Sequence, residues 1–482
     1  MINNLPLSPA PSKNFKRMQE FRERDERGKS QPANQKPSYT GDQASDHIAA
    51  SGPDPWTDKN GNGKTELTYT FFKRPTINFD DAGLTGFSAF NREQKNDALK
   101  AMQNYGDVAG ITFTKDSPKG SANGGEGHVG FGNFGGTANP KAGMRGVTLV
   151  SAEREGWDSF YRNKPMPGTA TFPAPDAPGR FLKLHELGHQ LGQGHPGFYN
   201  NNHRLGFEKA KTYQQDTNAY TVMSYWPETH SGHDFTKDGV RHYPKGLMMD
   251  DITSIQKRYG ANHETRSGDT VYGFNSNSER DHYSVKSNDD PLVASIWDGG
   301  GHDTLDLSGY RDDQKINLNA GTFSDVGGMK GNLSIAPNVV IEDALGGSGD
   351  DLIQGNQAPN NLVGGAGDDV IDGGPGQDRL WGGRGKDTFV FSDASHSTAA
   401  APDKIMDFRR GQDTIDVSNI RAATGKSGLS YVDEFSGQAG EARLHYNPKK
   451  RLSSLEIDLD GKGMAGFKVN VSGKVLKQDI VA

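Results

Sequence analysis

Hydrophobic and polar positions follow two different textures along this chain. From Leu67 onward the texture is that of a mixed globular segment. "LTYTFF" (67–72) is rich in β-branched and aromatic residues and predicts a strand. In "FSAFNREQKNDALKAMQNYGDV", Ala98, Leu99, Met102 and Tyr105 fall at helical spacing, which predicts an amphipathic helix with Ser88 as its N-cap. "GITFTK" and "GHVGFGNF" predict short strands, and "DDITSIQKRYG" (250–260) predicts a helix stopped by Gly260. Beyond Gly260 helical periodicity vanishes and Gly, Asp and Asn replace Lys and Glu, which places a domain boundary there. Residues 1–35 are polar, rich in Pro, Ser, Lys and Arg and poor in periodicity, and predict a disordered leader. The chain therefore reads as a multi-domain α+β protein, with a leader (1–35), a mixed α/β domain (36–260) and an all-β domain (261–482).

The all-β reading comes from repeats. Gly346 to Val390 divides without gaps into five nonamers, "GGSGDDLIQ", "GNQAPNNLV", "GGAGDDVID", "GGPGQDRLW" and "GGRGKDTFV". The template is GGxGxDxUx with U apolar, and Ile353, Leu362, Ile371, Leu380 and Phe389 recur at every ninth position. Each repeat supplies one turn and one short strand, so stacked copies predict a parallel β-roll with those residues pointing inward. A flexible Gly-Asp linker has no use for such a period. The turns suit calcium, because glycines let carbonyls face one centre and each aspartate adds a hard oxygen. The expected ligands are Gly347, Gly349 and Asp351, then Asn356, Ala358 and Asn360, then Gly365, Gly367 and Asp369. Gly374, Gly376 and Asp378 follow, and Gly383, Gly385 and Asp387 complete the series. The second repeat departs from the template at Ala358 and Asn360, so its site is expected to be weaker. Degenerate copies, "DGGGHDTLD" (298–306) and "RRGQDTIDV" (409–417), flank the array. "DKNGNGKTE" (58–66) imitates the start of an EF-hand, but Tyr69 stands where the loop needs Glu, and it is read as a turn.

Within the α/β segment, "LHELGHQLGQGHPG" (184–197) contains H-E-x-x-H-x-x-G-x-x-H as His185, Glu186, His189, Gly192 and His195. On a helix His185 and His189 lie one turn apart on one face, so two imidazoles can share a metal ion. Leu184, Leu187 and Leu191 mark the core-facing stripe. Gly192 can end the helix in a left-handed turn and let His195 reach back as a third ligand. Three protein ligands leave a zinc position open for water, the mark of a catalytic site. Glu186 beside such a water can take its proton during attack on a carbonyl and pass it to a leaving amine. Surface histidines on a helix are the bland alternative, which the added glycine and third histidine count against. Downstream, "AYTVMSYW" carries Met223 and Tyr225. Alone, Met223 would read as a core residue; after the zinc motif it matches the Met-turn that lies under the three histidines in metzincins.

Composition narrows the chemistry. The chain has no cysteine, so disulfides and thiolate metal sites are excluded, and any metal must sit on histidine, carboxylate or carbonyl. A net charge of −7 with 61 acidic residues argues against nucleic acid as a partner and suits divalent cations. No apolar run is long enough for a Sec signal or a membrane span, which taken alone predicts a soluble, cytoplasmic chain.

"HELGHQLGQGHPGFYN", with Pro196 after the third histidine, together with "TVMSYW", resembles the serralysin family of secreted bacterial metalloproteases. The resemblance implies a metzincin-type catalytic domain, zinc on His185, His189 and His195, Glu186 as general base and acid, and protein or peptide substrates. For Tyr225 it implies a hydroxyl that ligates zinc at rest and stabilises the oxyanion in turnover. It further implies a calcium site at the junction from Arg266, Gly268, Thr270, Asp298, Gly300, Gly301 and Asp303, with Val340 and Glu342 serving a neighbouring one. The repeats and the tail "VLKQDIVA" are similar to those of proteins exported by type I secretion machinery with a C-terminal signal, which replaces the cytoplasmic reading by an extracellular one. The leader is similar to a family pro-segment, and the family also implies a small periplasmic protease inhibitor as partner, a monomer, and no membrane insertion. Two features differ from the family: the stretch between Gly135 and Gly179, where an apolar edge strand is usual, and Phe198, where Asp is common. The rival readings are a calcium-dependent adhesin with a vestigial zinc site and a zinc amidase or lipase-like hydrolase on the same roll.

Overall fold

The computed structural model of the protein describes residues 10–32, 35–116, 128–138, 145–150, 156–163, 179–198 and 206–482. The described residues fall into two compact units, one of 27–265 and 293–299, the other of 10–26, 266–292 and 300–482. Helix α1 (Lys13–Glu23) belongs to the second. In the first come α2 (Gly41–Ala50), β1 (Thr65–Phe71), β2 (Leu84–Thr85), α3 (Arg92–Val108), β3 (Ile111–Lys115), β4 (Val129–Phe134) and β5 (Gly136–Thr137). Then follow β6 (Gly146–Val150), β7 (Trp157–Arg162), α4 (Gly179–Gln190), α5 (Phe207–Ala210) and α6 (Met249–Tyr259).

Five of these strands form a sheet in the order β3-β1-β4-β7-β6. Its pairs are parallel except the last, where β6 runs antiparallel to β7 at the edge. Helix α3 starts later than its sequence suggests. Asn91, not Ser88, is the cap: its side chain accepts from Gln94 N, and the Gln94 side chain returns to the Asn91 backbone in a capping box. Ser88 instead exchanges backbone hydrogen bonds with Asn133. The buried stripe of α3 is Ala98, Ala101, Met102 and Tyr105, and Leu99, one residue round the helix, is 42% exposed. Tyr105 ties the two central helices together by donating its hydroxyl to Leu184 O at 3.0 Å. On α4, Leu184 and Leu187 are fully buried, as is Leu191 just beyond it. Gly192 then turns the chain at φ 92°, a conformation that costs other residues a steric clash. Helix α6 ends at Gly260 with φ 76°. Most of the segment between Gly135 and Gly179 where the family pattern is lost lies outside the described residues; β6 and β7 are the regular part of it.

The second unit winds as a parallel coil between a ten-stranded and a six-stranded sheet. Leu352 pairs with Val370 and Val370 with Thr388 on one side, and Leu362 with Leu380 on the other. Ile353, Leu362, Ile371, Leu380 and Phe389 are all fully buried, so the nine-residue period is the inward face of the coil. Side chains alternate along a strand, so Leu352, Val370 and Val390 emerge on the opposite face of the six-stranded sheet. There Phe15, Met18 and Phe21 of α1 pack on them. Ser12 caps α1 by accepting from Phe15 N and also meets Asp416. Asn14 Nδ2 donates to Thr388 Oγ1 at 3.1 Å, and Arg24 Nη1 lies 2.6 Å from Asp325 Oδ2.

This corrects the expectation of a disordered leader over residues 1–35. Residues 13–23 are helical and integral to the roll, because three apolar side chains on one helical face outweigh the polar composition around them. Residues 1–9 and 33–34 of that leader lie outside the described residues. Truncating the middle anchor, Met18→Ala, is expected to destabilise the protein by about 2–5 kcal/mol, the usual range for a buried large-to-small change. A guanidinium titration of the full-length variant with calcium present checks this, and an unchanged midpoint would place α1 outside the folded core.

Candidate metal centre

Helix α4 delivers the two histidines of the H-E-x-x-H pair, and the turn at Gly192 brings round the third. In that return, Gly194 N donates to Ile48 O at 2.8 Å and the Ser51 hydroxyl donates to His195 O at 3.0 Å. The three Nε2 atoms meet: His195 Nε2 is 3.1 Å from His189 Nε2 and 3.2 Å from His185 Nε2. A tetrahedral zinc with Zn–N near 2.0–2.1 Å needs ligand nitrogens about 3.3–3.4 Å apart. The spacing fits.

The far side of each helical ring is fixed. His185 Nδ1 donates to Val222 O and His189 Nδ1 donates to Gln193 O, both at 2.8 Å. A proton on Nδ1 leaves the Nε2 lone pair free for a metal. Burial lowers His185 to about 3 and His189 to about 4, so both rings are neutral near pH 7. The carbonyls are themselves held. Asp251, at the start of α6, accepts from Thr221 Oγ1 at 2.5 Å, Val222 N at 2.8 Å and Met248 N at 3.0 Å. Gln193 Nε2 donates to Asp251 O at 3.0 Å. Met223 is fully buried, and a Cβ at Gly188 would stand 2.5 Å from its sulfur, so the glycine lets the methionine lie against α4.

Glu186 is buried beside the histidines. Burial pushes its carboxyl up to about 7, partly offset by the Thr148 hydroxyl, which donates to Oε2 at 2.7 Å. Tyr225 places its ring 4.6 Å from that of His195 and 5.6 Å from that of His185, and burial raises its phenol well above the usual range. Phe198, just past the third histidine, is 78% exposed. The three histidines share one point, with the Tyr225 ring beside two of them and Met223 lying against Gly188 of α4.

Residues 261–482 match the family model described as Peptidase M10 serralysin C terminal. A "Metalloprotease AprA" of Pseudomonas entomophila is 49% identical over 478 residues, covering 98% of this chain and 96% of that protein. A "Metallopeptidase AprA" of Pseudomonas marginalis is 48% identical over 458 residues, covering 95% and 94%. "Serralysin C" of Dickeya chrysanthemi is 43% identical over 476 residues, covering 97% and 95%. The chain belongs to the serralysin family. It is a metalloprotease, and His185, His189 and His195 form a group fit to hold its metal.

The same serralysin carries a second set of convergent atoms in its glycine-aspartate turns. Asp351, Asp369, Asp378 and Asp387 are buried, and the Oδ2 atoms of the last three have no hydrogen-bond partner among the described residues. Buried carboxylate oxygens left bare cost free energy unless a cation meets them. The glycines are there for close approach: a Cβ on Gly364, Gly373 or Gly382 would strike the aspartate of its own turn, and one on Gly383 or Gly385 would strike the carbonyl of Gly365 or Gly367. The divergent second turn is arranged differently. Asn360 donates Nδ2 to Glu342 O at 2.8 Å and to Asn356 Oδ1 at 3.1 Å, and Asn356 donates to Leu318 O and Ile341 O. The Asn360 Nδ2 is thus hydrogen-bonded where Asp369, Asp378 and Asp387 of the other turns carry an unpartnered Oδ2.

At the junction, Thr270 N donates to Asp303 Oδ1 at 2.8 Å, Thr270 Oγ1 donates to Gly268 O, and Arg266 adopts a positive φ. Glu342 Oε2 accepts from Asp303 N at 2.7 Å, and Gly301 packs on Gly268. Asp298 is buried and belongs to the first unit; Gly300 has φ 129° and Val340 is 40% exposed. In the 58–66 loop the Asp58 carboxylate is taken up by the N–H groups of Asn60, Gly61 and Gly63, as a turn requires.

Sequence reasoning missed Thr148, Gln193 and Asp251, whose roles depend on partners far along the chain. Asp251→Ala would leave Thr221, Val222 and Met248 donors unpaired in the interior. At about 1–3 kcal/mol for each buried group left unsatisfied, the variant is expected to lose several kcal/mol of stability and to release metal at lower chelator concentration. Metal analysis after dialysis against graded chelator reads the second effect.

Proposed function

We propose that this protein is a secreted zinc endopeptidase whose catalytic unit holds zinc on His185, His189 and His195, with Tyr225 as an additional ligand at rest. The observation that carries this reading is the convergence of three Nε2 atoms, His195 within 3.1–3.2 Å of the other two, beside the buried carboxylate of Glu186. Zinc bound there supplies a Lewis acid that polarises the scissile carbonyl and lowers the pKa of the attacking water. Glu186 takes the proton of that water and returns it to the leaving amine. Its raised affinity for a proton, due to burial, matches a group that must both accept and donate near neutral pH. The Tyr225 phenol, kept protonated by burial, is a hydrogen-bond donor for the developing oxyanion. Among the described residues the antiparallel strand β6 is the outermost of its sheet, an edge suited to pairing with an extended peptide.

The second unit is a calcium-binding roll in this reading, with carboxylates of Asp351, Asp369, Asp378 and Asp387 and carbonyls of Gly347, Gly349, Gly365, Gly367, Gly374, Gly376, Gly383 and Gly385 as ligands. The unpartnered Oδ2 atoms support it. The route outward is type I export, with the chain passing unfolded at low calcium and folding when external calcium meets the turns. Ile480 and Val481 pair in the six-stranded sheet, so a C-terminal export signal would be accessible before folding rather than after it.

Casein digestion by the calcium-loaded protein tests the enzyme reading. Glu186→Ala is expected to lose at least about a hundredfold in rate, within the usual worth of a general base, while keeping its zinc. Equal digestion by both proteins would sink the proposal.

The roll carries a prediction whose sign reverses with calcium. Burial pushes Asp351 up to about 7, Asp369 to about 8 and Asp378 to about 7, against about 3.9 in an unfolded chain. The folded, chelated protein therefore binds more protons than the unfolded chain between about pH 4 and pH 8, and its stability falls as pH rises through that window. Asp369→Asn removes one such charge. It is expected to melt higher than the parent in chelator at about pH 8 and lower than the parent in millimolar calcium.

A further inference from the structure

The edge strand reaches Glu186 as well as the substrate path. Side chains at 146 and 148 lie on one face of β6, the strand that packs on α4. A Cβ at Gly146 would collide with Glu186 Oε1, while Thr148 Oγ1 stands 2.7 Å from Oε2. Across the antiparallel pair Thr148 faces Ser159, with the two hydroxyl oxygens 2.7 Å apart. Thr148 Oγ1 is also 3.2 Å from the Glu186 carbonyl.

Counting protons gives these contacts a direction. A threonine hydroxyl has one proton and two lone pairs. The Glu186 carboxylate and carbonyl accept only, and the shorter, charge-assisted bond to Oε2 is the stronger. Thr148 therefore donates to Oε2, and the fully buried Ser159 donates to Thr148. Among the described residues Oε2 alone of the two carboxylate oxygens carries a hydrogen bond. Oε1 sits against a residue with no side chain.

We propose that Thr148 is the positioning residue of Glu186: it anchors Oε2, with Ser159 orienting its hydroxyl, so that Oε1 is the oxygen left to take the proton of the attacking water and return it to the leaving amine. The inference rests on the reading of Glu186 as general base. Glycine at 146 is the second half of the device, because any larger residue would displace Oε1.

The test compares Thr148→Val, which keeps the shape and loses the hydroxyl, with Thr148→Ser, which keeps the hydroxyl, in the full-length zinc- and calcium-loaded protein. Thr148→Val is expected to lower kcat by about 10- to 100-fold with KM within about twofold, a loss of the kind misplacement of a catalytic group produces. Thr148→Ser is expected to stay within about threefold of the parent, and both variants to keep their zinc content and melting temperature. Crystal structures supply the readout besides activity: the Glu186 carboxylate turns away from its parent position in Thr148→Val and keeps it in Thr148→Ser. A parental kcat in Thr148→Val, a loss that serine does not rescue, or a loss explained by missing zinc or lower melting overturns the inference. Full activity in Glu186→Ala overturns instead the reading beneath it.

Discussion

Three imidazole lone pairs aimed at one point repel one another, and nothing in the three rings themselves holds them there. His195 keeps its Nε2 3.1–3.2 Å from those of His189 and His185 because the surrounding chain leaves the rings no other place. Each helical ring is clamped from behind by a carbonyl, of Val222 or Gln193. Those carbonyls belong to segments fastened to Asp251 by its carboxylate and its own backbone oxygen. The helix carrying the histidines is tied to α3 through Tyr105, whose hydroxyl lies 3.0 Å from both Leu184 O and Gln193 Oε1. The metal is thus met by a site whose strain is carried in advance by the fold, and bound metal turns that repulsion into ligation.

The roll solves a similar problem with oxygen in place of nitrogen. Its aspartates project into turns so tight that only glycine leaves them room, and three of their Oδ2 atoms have no hydrogen-bond partner among the described residues, a cost to the stability of the turns. The two units differ in what supplies the rigidity. Around the histidines it comes from a packed hydrophobic core and long-range hydrogen bonds. In the roll it comes from repetition, each turn bracing the next through bonds such as Asp351 N to Asp369 Oδ1 and Asp369 N to Asp387 Oδ1. Asn360 shows the alternative, an amide that satisfies its turn without a cation.

Features with a local period were legible in the sequence. The histidine spacing, the Gly192 turn, the nine-residue apolar repeat and the stop at Gly260 all follow from geometry within a few residues. What escaped was set by contacts across the chain. Thr148 reaches Glu186 from another element, and no spacing around either residue signals the pair. Asn91 displaced Ser88 as the cap of α3 because Gln94 completes a box with it, while Ser88 is drawn into a bridge with Asn133. Helix α1 did have a signal in Phe15, Met18 and Phe21, but its charged neighbours masked a stripe whose partner strands lie hundreds of residues away.

That last contact bears on how the molecule comes together. The strand Thr414–Asp416 pairs with Thr388–Val390 on one side and with Ile480 and Val481 on the other, and Ser12 bonds to Asp416 and Ser418. Residues near 12 and near 480 therefore meet on the same strand. Pairings of such sequence separation form slowly, since loop closure is costly before any contact rewards it. The six-stranded sheet cannot be completed until the segment around 480 has been made, and α1 has no partner surface until the repeats have coiled. The buried carboxylates of the turns add to that cost, because Asp351, Asp369 and Asp378 must leave water before the coil can close around them.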